Sequence, residues 1–388
     1  MKVLVSGDLN SKHTKRVVTQ LLNSKRFELI SGITFANTRK NYHGINDLEH
    51  LYNEIYELYP TKVEKIRKIG IILQFVRNRN KIKKIVEKYD LINIQGITNH
   101  CINFLNINKP IISSFWGGDI WEKKQIYSKI IQRRMLKQSV LITVIHEKMK
   151  ERVLKEFGSD LIEKIRIVKY FMLDTEKIDL IDNNDIEVFK NKFGIPLNNK
   201  IITISYSAAP RHRQNKILDI LGLLNKDIID RENIIFILPM TYGSKEWLEL
   251  IRKKVLKHKF RNRIILLEEY LSDKDIATLR KITDIFINLP TQDSFSATMM
   301  EHLYAGSVVI TGSWLPYDEL FNSGAKILKI TDFNLKGLNE ILLDVINNLS
   351  IYKKENIKNK EIIKKVVFSS NWTDIFEEGL EIWKKRKK

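Results

Sequence analysis

A single cysteine, Cys101, in 388 residues excludes an internal disulfide framework and a cysteine-built zinc cluster, and points to a reducing compartment. No apolar run approaches the roughly 18 residues that a spanning helix needs, so the chain is expected to be soluble or to lie on a surface. The opening MKVLVSGDL reads as a short buried strand without the charged head, apolar run and cleavage site of a secretory signal, which makes the cytoplasm the expected location. An acidic Asp-x-Asp loop, an HExxH helix and a Walker loop are also missing, so neither a metal nor another cofactor is expected. Lysine and arginine are scattered over both halves without an RRM or helix-turn-helix pattern, which argues against a nucleic-acid reader. There is no internal repeat and no low-complexity linker.

What is present begins with charge. A net charge of +20 implies an anionic partner, and nucleic acid, acidic phospholipid or a phosphorylated substrate would each satisfy it. The densest stretch, residues 61–88, carries Lys62, Lys65, Arg67, Lys68, Arg77, Arg79, Lys81, Lys83, Lys84 and Lys88 against Glu64 and Glu87. Val63, Ile66, Ile69, Ile72, Leu73, Phe75 and Val76 recur there at mostly helical spacing, giving a basic amphipathic surface. A patch for an anionic membrane and a plain solvated face fit that pattern equally.

Apolar β-branched runs alternate with helical segments, the mark of parallel sheets with crossover helices. KVLVSG, FELISGITF, LINIQG, PIISSFWG and VLITVI form a first series; KIITISYS, NIIFILPM, RIILLEEY, DIFINLP, SVVIT and AKILKI form a second, joined to it by the turn-rich KFGIPLNNK. The fold class is therefore α/β, with two Rossmann-like domains whose parallel sheets face each other across a cleft. Expected boundaries are 1–196 for the first domain, 197–365 for the second, and 366–388 for a terminal helix with Trp372, Phe376, Leu380 and Trp383. In such sheets ligands bind at the carboxyl ends of the strands.

Three segments there carry chemistry. In Asn288–Gly312 a strand leads through TQDS, with Ser294 or Ser296 as cap, into the helix SATMMEHLYA, which stops at Gly306. Amides near Phe295 to Ala297 offer a phosphate site at the helix start. Asp293 stands at the helix entrance, and Glu301 lies roughly 7–9 Å along the axis, a span that suits a nucleotide sugar. Glu301 has small neighbours, Ala297, Thr298 and Ala305, in an otherwise apolar helix, so a lone acid there needs a partner. In Ile202–Leu221 a small-residue loop, Ser205 to Ala209, precedes Arg211, Arg213 and Lys216, a basic group suited to a diphosphate; His212 reads as a surface residue. In Pro110–Trp121 a strand ends at Gly117 and Gly118, with Asp119 either at the mouth of the cleft or capping the next helix.

The segment Asn288–Gly312 and the following SWLPYDEL resemble the signature of retaining group 1 (family 4) glycosyltransferases, in which two acids separated by seven residues precede a helix and a small-residue turn. Here Asp293 stands in place of the usual Glu, and Phe295 or Ser296 in place of the usual Gly; resemblance is clear over about residues 200–320. It implies the GT-B fold, with residues 1–196 as the acceptor domain, 197–365 as the donor domain and the helix of 366–388 crossing back to the first, and a nucleotide diphosphate sugar as donor substrate. It implies catalytic or sugar-contacting acids at Asp119, Asp293 and Glu301. Donor contacts would come from Arg213, Lys216, Ser294, Phe295 and Ser296, from Tyr242 in the loop PMTYGS, and from Gly7 in the first loop. Arg213 and Lys216 align best with the pair that neutralises the leaving diphosphate without a metal, ahead of Arg211. The same stretch is similar to enzymes of bacterial surface polysaccharides, which makes a lipid-linked or glycan acceptor the expected partner. A nucleotide-sugar epimerase on the same scaffold and a non-catalytic sugar-nucleotide binder remain as alternatives.

Overall fold

The computed structural model describes residues 1–35, 48, 50–59, 69–122, 124–169, 175–367 and 371–387. The chain divides into two compact units, Met1–Met172 with Phe368–Lys388, and Leu173–Val367.

The first unit is built on seven strands: β1 (Lys2–Ser6), β2 (Leu29–Thr34), β3 (Ile55–Glu57), β4 (Leu91–Gln95), β5 (Ile111–Ser114), β6 (Leu141–Val144) and β7 (Ile165–Ile167). They pair in parallel in the order β3-β2-β1-β4-β5-β6-β7. The central strand β1 is sealed on both faces, with Val3, Leu4 and Val5 fully buried, which is why it reads as a continuous apolar run rather than an alternating one. The edge strands β3 and β7 are three residues each and form no such run. The terminal helix Trp372–Lys387 belongs to this unit. Trp372 is buried and donates its indole N–H to the Lys169 carbonyl at 3.3 Å. A Cβ on Gly379 would meet Ile112 Cδ1 at 3.0 Å, so the missing side chain lets the helix lie against β5. Two helices, Gly118–Trp121 and Ile126–Gln138, follow β5.

The second unit carries β8 (Lys200–Ile204), β9 (Ile234–Pro239), β10 (Ile264–Leu267), β11 (Ile285–Asn288), β12 (Val308–Gly312) and β13 (Leu328–Ile330), parallel in the order β10-β9-β8-β11-β12-β13. Alternation along the strands feeds two cores. Ile202, Ile204, Phe236 and Leu238 pack on one face with the helix Gln214–Leu221, and Ile201, Ile235 and Ile237 pack on the other with Phe189 and Ile195. Segment 183–196, which the sequence places with the first series, thus packs in the second unit. Its helix Asn183–Lys192 opens on an Asp182/Asp185 capping box.

In both units the first strand sits centrally, β1 between β2 and β4, and β8 between β9 and β11. The strand order reverses there, and loops leaving those carboxyl ends diverge to leave room for a ligand. None of the described helices is long and apolar enough to cross a membrane. Of the basic stretch 61–88, residues 61–68 lie outside the described residues; helix Ile69–Glu87 holds much of the rest.

Candidate active site

Backbone contacts fix the loops above β8, β9 and β11 to one another. After β8, Ser205 and Arg213 adopt left-handed conformations (φ 58° and 54°), so the loop turns sharply at both ends. Buried Gln214 reaches back and donates to Ser205 Oγ at 2.8 Å and to the Ser207 carbonyl at 2.6 Å. Ala208 pairs with the loop after β9 by donating to the Tyr242 carbonyl at 2.8 Å and accepting from Ser244 N at 2.7 Å. That approach requires Gly243, where a Cβ would lie 2.2 Å from the Ala208 carbonyl oxygen. Thr291 N, beyond β11, donates to the Arg211 carbonyl at 2.8 Å.

This framework assigns the two arginines opposite places. Arg213 is buried. Its Nε and one terminal nitrogen donate to the Leu289 carbonyl at 2.9 and 2.7 Å, the other to the Phe333 carbonyl at 2.6 Å, and the Trp314 and Phe333 rings lie within 5.0 and 4.7 Å. A guanidinium so occupied is a brace between loops, which corrects its placement as a donor-binding residue. Arg211 is exposed, and its charge is felt by Asp293, Tyr206 and Tyr242. Lys216 is half-buried and donates to Asn334 Oδ1 at 3.3 Å. His212 is not a surface residue. It is 1% exposed, edge-on to Tyr206 with ring centroids 4.3 Å apart, neither ring nitrogen has a hydrogen-bond partner among the described residues, and burial beside Arg211 pushes it down to about 3.

The helix that follows β11 is Ala297–Tyr304, and Ser296 caps it by accepting from Met299 N. Phe295, where the resemblance expects glycine, has φ 69°, the left-handed conformation glycine takes without strain. Among the described residues the amides of Ala297 and Thr298 have no acceptor, which leaves them for an anion. Half-buried Asp293 accepts from Ser294 N at 2.8 Å through Oδ1, and from the Tyr317 hydroxyl through Oδ2. Burial raises its pKa, opposed by Tyr317, Ser294, Asn288 and Arg211.

Glu301 is 6% exposed, and its partner is one that sequence reasoning missed: Arg280, from the helix Asp273–Ile282, donates Nε to Glu301 Oε2 at 3.1 Å. Oε1 takes no hydrogen bond among the described residues. Tyr242 is 60% exposed, with its hydroxyl close enough to Ser207, Arg280 and Glu301 to feel each. An aromatic face, one available carboxylate oxygen, two uncapped amides, a cation and a second acid thus meet at one end of one sheet.

The first unit contributes differently. Both Asp119 oxygens are engaged and the residue is buried: Trp116 N and Gly117 N donate at 3.0 and 2.8 Å, and Ile97 N donates at 2.8 Å. Burial raises its pKa despite these amides. Asp119 therefore organises its own loop, which corrects its placement as a catalytic acid at the mouth of the cleft and is closer to the local capping role that the sequence also allowed. Gly7 has φ 149°, and a Cβ there would lie 2.4 Å from the Gln95 carbonyl oxygen, so close passage of β4 requires the glycine. No three His, Cys, Asp or Glu side chains gather as a metal site among the described residues.

Residues 185–364 match the family model of glycosyl transferases group 1. No curated protein matches the chain in sequence. Among solved structures it is similar to Anabaena HepE in complex with UDP, at 14% identity over 99% of this chain and 100% of that one, TM-score 0.75. It is similar to a Rickettsia africae glycosyltransferase at 15% identity over 99% and 98% of the chains, TM-score 0.75. It is also similar to WaaG, a glycosyltransferase involved in lipopolysaccharide biosynthesis, at 12% identity over 98% and 99%, TM-score 0.67. These likenesses establish the fold, GT-B.

Proposed function

The chain carries a glycosyl transferases group 1 domain at residues 185–364 within a GT-B fold, and from that premise we propose that it transfers a hexose-type sugar from a nucleotide diphosphate sugar to a lipid-linked or surface-glycan acceptor, with retention and without a metal. The observation that carries this reading is the row of groups at the carboxyl ends of β8, β9 and β11. Tyr242 offers a ring to the base, and Glu301 Oε1 an acceptor to the ribose hydroxyls. Beyond it the Ala297 and Thr298 amides and Arg211 meet the diphosphate, with Lys216 next in line, and Asp293 meets the sugar. HepE, of the same fold, binds UDP-glucose.

In the reaction the bond between the anomeric carbon and the β-phosphate oxygen breaks, and its electron pair leaves on the diphosphate. The acceptor oxygen bonds that carbon from the same face, and its proton passes to the departing phosphate oxygen. Charge grows on the diphosphate as the bond breaks, so a cation and helix amides aimed at it stabilise the transition state more than the ground state.

An anionic membrane as the site of the acceptor rests on the first unit. Helix Ile69–Glu87 exposes Leu73 and Val76 beside Lys81, Lys83 and Lys84, and helix Ile126–Gln138 exposes Ile126 (81%) and Ile130 (51%). The test incubates the protein in chelator with UDP-, GDP- and TDP-glucose and anionic vesicles bearing polyprenyl-linked acceptors. One donor should yield nucleoside diphosphate and an α-linked product detected by NMR. A β-linked product, or turnover that requires added magnesium, would overturn the mechanism.

A further inference from the structure

We propose that Tyr317 is a positioning residue for the transferred sugar: it holds the Asp293 carboxylate aimed at the sugar end of the donor. The inference rests on the donor-site reading above and extends it to a residue that this reading leaves without a role.

Tyr317 is fully buried, yet every capacity of its hydroxyl is used. It donates to Asp293 Oδ2, and accepts from Ser296 N at 3.2 Å and from Asn288 Nδ2 at 3.3 Å. One phenol therefore ties the acid to the cap of the helix Ala297–Tyr304 and to the last residue of β11. Asn288 Nδ2 also approaches Asp293 Oδ2 at 3.5 Å, while Asn288 Oδ1 is buried without a partner among the described residues, so the amide is turned toward the acid at the expense of its own oxygen. The Phe295 and Tyr317 rings pack 5.6 Å apart, which ties the left-handed residue to the same unit.

An aspartate is one methylene shorter than the glutamate usual in the resembling signature, so its carboxylate is drawn back toward the helix entrance, where burial favours the neutral acid. A neutral carboxyl keeps less acceptor capacity for a sugar hydroxyl. The Tyr317 hydrogen bond opposes that neutralisation and fixes the carboxylate orientation, leaving Oδ1, which among the described residues holds only Ser294 N, to face the ligand. The charged and titratable groups felt by Asp293 are Tyr317 from the loop after β12, and Arg211 and Tyr206 from the loop after β8.

The experiment compares Tyr317→Phe, Asp293→Asn and the double variant with wild type, using whichever of UDP-, GDP- and TDP-glucose wild type turns over, and the matching nucleoside diphosphate as sugar-free probe. Tyr317→Phe is expected to lower kcat/KM about 10-fold, the scale of one hydrogen bond to a charged group. Affinity for the nucleoside diphosphate should stay within about 2-fold, and the acid limb of the kcat/KM profile should move to higher pH. The double variant should be no worse than Asp293→Asn, because Tyr317 acts through that acid. Installing 3-fluorotyrosine at position 317, a stronger donor of nearly the same shape, should move the limb to lower pH and serves if the phenylalanine variant does not fold. Equal loss of nucleoside diphosphate and nucleotide-sugar binding, an unmoved acid limb, or multiplicative effects in the double variant would overturn the inference while leaving the donor site standing. If wild type binds no nucleotide sugar, both fall together.

Discussion

Arg211→Ala is expected to lower kcat/KM by about 10²–10³-fold with little change in thermal midpoint, and Arg213→Ala to do the reverse. The first figure is the scale for removing one preorganised group that stabilises charge in the transition state. Arg211 is exposed, so its loss leaves no buried group unpaired. Arg213 closes the Leu289 and Phe333 carbonyls and lies against two aromatic rings. Its removal should cost roughly 3 kcal/mol, from about 1–3 kcal/mol per buried acceptor left open and about 0.5–2 kcal/mol per cation–π contact, discounted for relaxation. For a unit of this size that is a drop of about 6–12 °C in scanning calorimetry. Equal kinetic losses in both variants at unchanged midpoints would mean that Arg213 turns toward the ligand and that its carbonyl contacts are dispensable.

Glu301→Gln should bind nucleoside diphosphate about 10–100-fold more weakly than wild type while remaining folded, and Glu301→Ala should be destabilised by roughly 3–5 kcal/mol. The asymmetry comes from Arg280. Both side chains of the pair are 8% exposed, so deleting the acid strands a buried guanidinium. Glutamine keeps the volume and can turn its oxygen to Arg280, but its amide then presents a donor where the ribose hydroxyls need an acceptor. A hydrogen bond to a charged group is worth about 1.5–3 kcal/mol, which sets the expected range. Calorimetric titration of the glutamine variant with thermal unfolding of both variants separates the two effects. Wild-type affinity in Glu301→Gln would leave Glu301 as no more than the counter-ion of Arg280.

Much of the fold was legible because parallel strands buried on both faces advertise themselves as apolar β-branched runs. Ile55–Glu57 and Ile165–Ile167 were not, because a three-residue edge strand buries too little to leave a pattern. At the site the spacing of Asp293, Ser296 and the helix after it was readable, since caps and helix starts are local. Which arginine faces the ligand was not. That choice depends on a left-handed turn at Arg213, on a Trp314 box a hundred residues away, and on the Ala208–Gly243 contact, and none of these leaves a local trace. Arg280 and Tyr317 escaped for the same reason: each meets its acid only through sheet order, although a lone Glu in an apolar helix already announced that it needs a partner. Asp119 shows the converse, an acid at a promising turn that the fold uses to hold its own backbone.

The most direct test of a nucleotide-sugar site at the ends of β8, β9 and β11 is backbone hydrogen exchange on the full chain, with and without the one of UDP-, GDP- and TDP-glucose that raises its thermal midpoint. Slowed exchange in the segments 205–213, 239–244 and 291–300 is the expected result, since ligand binding there lowers the population of open states in which those amides exchange. Midpoint stabilisation with protection elsewhere, or no stabilisation by any of the three, would contradict it.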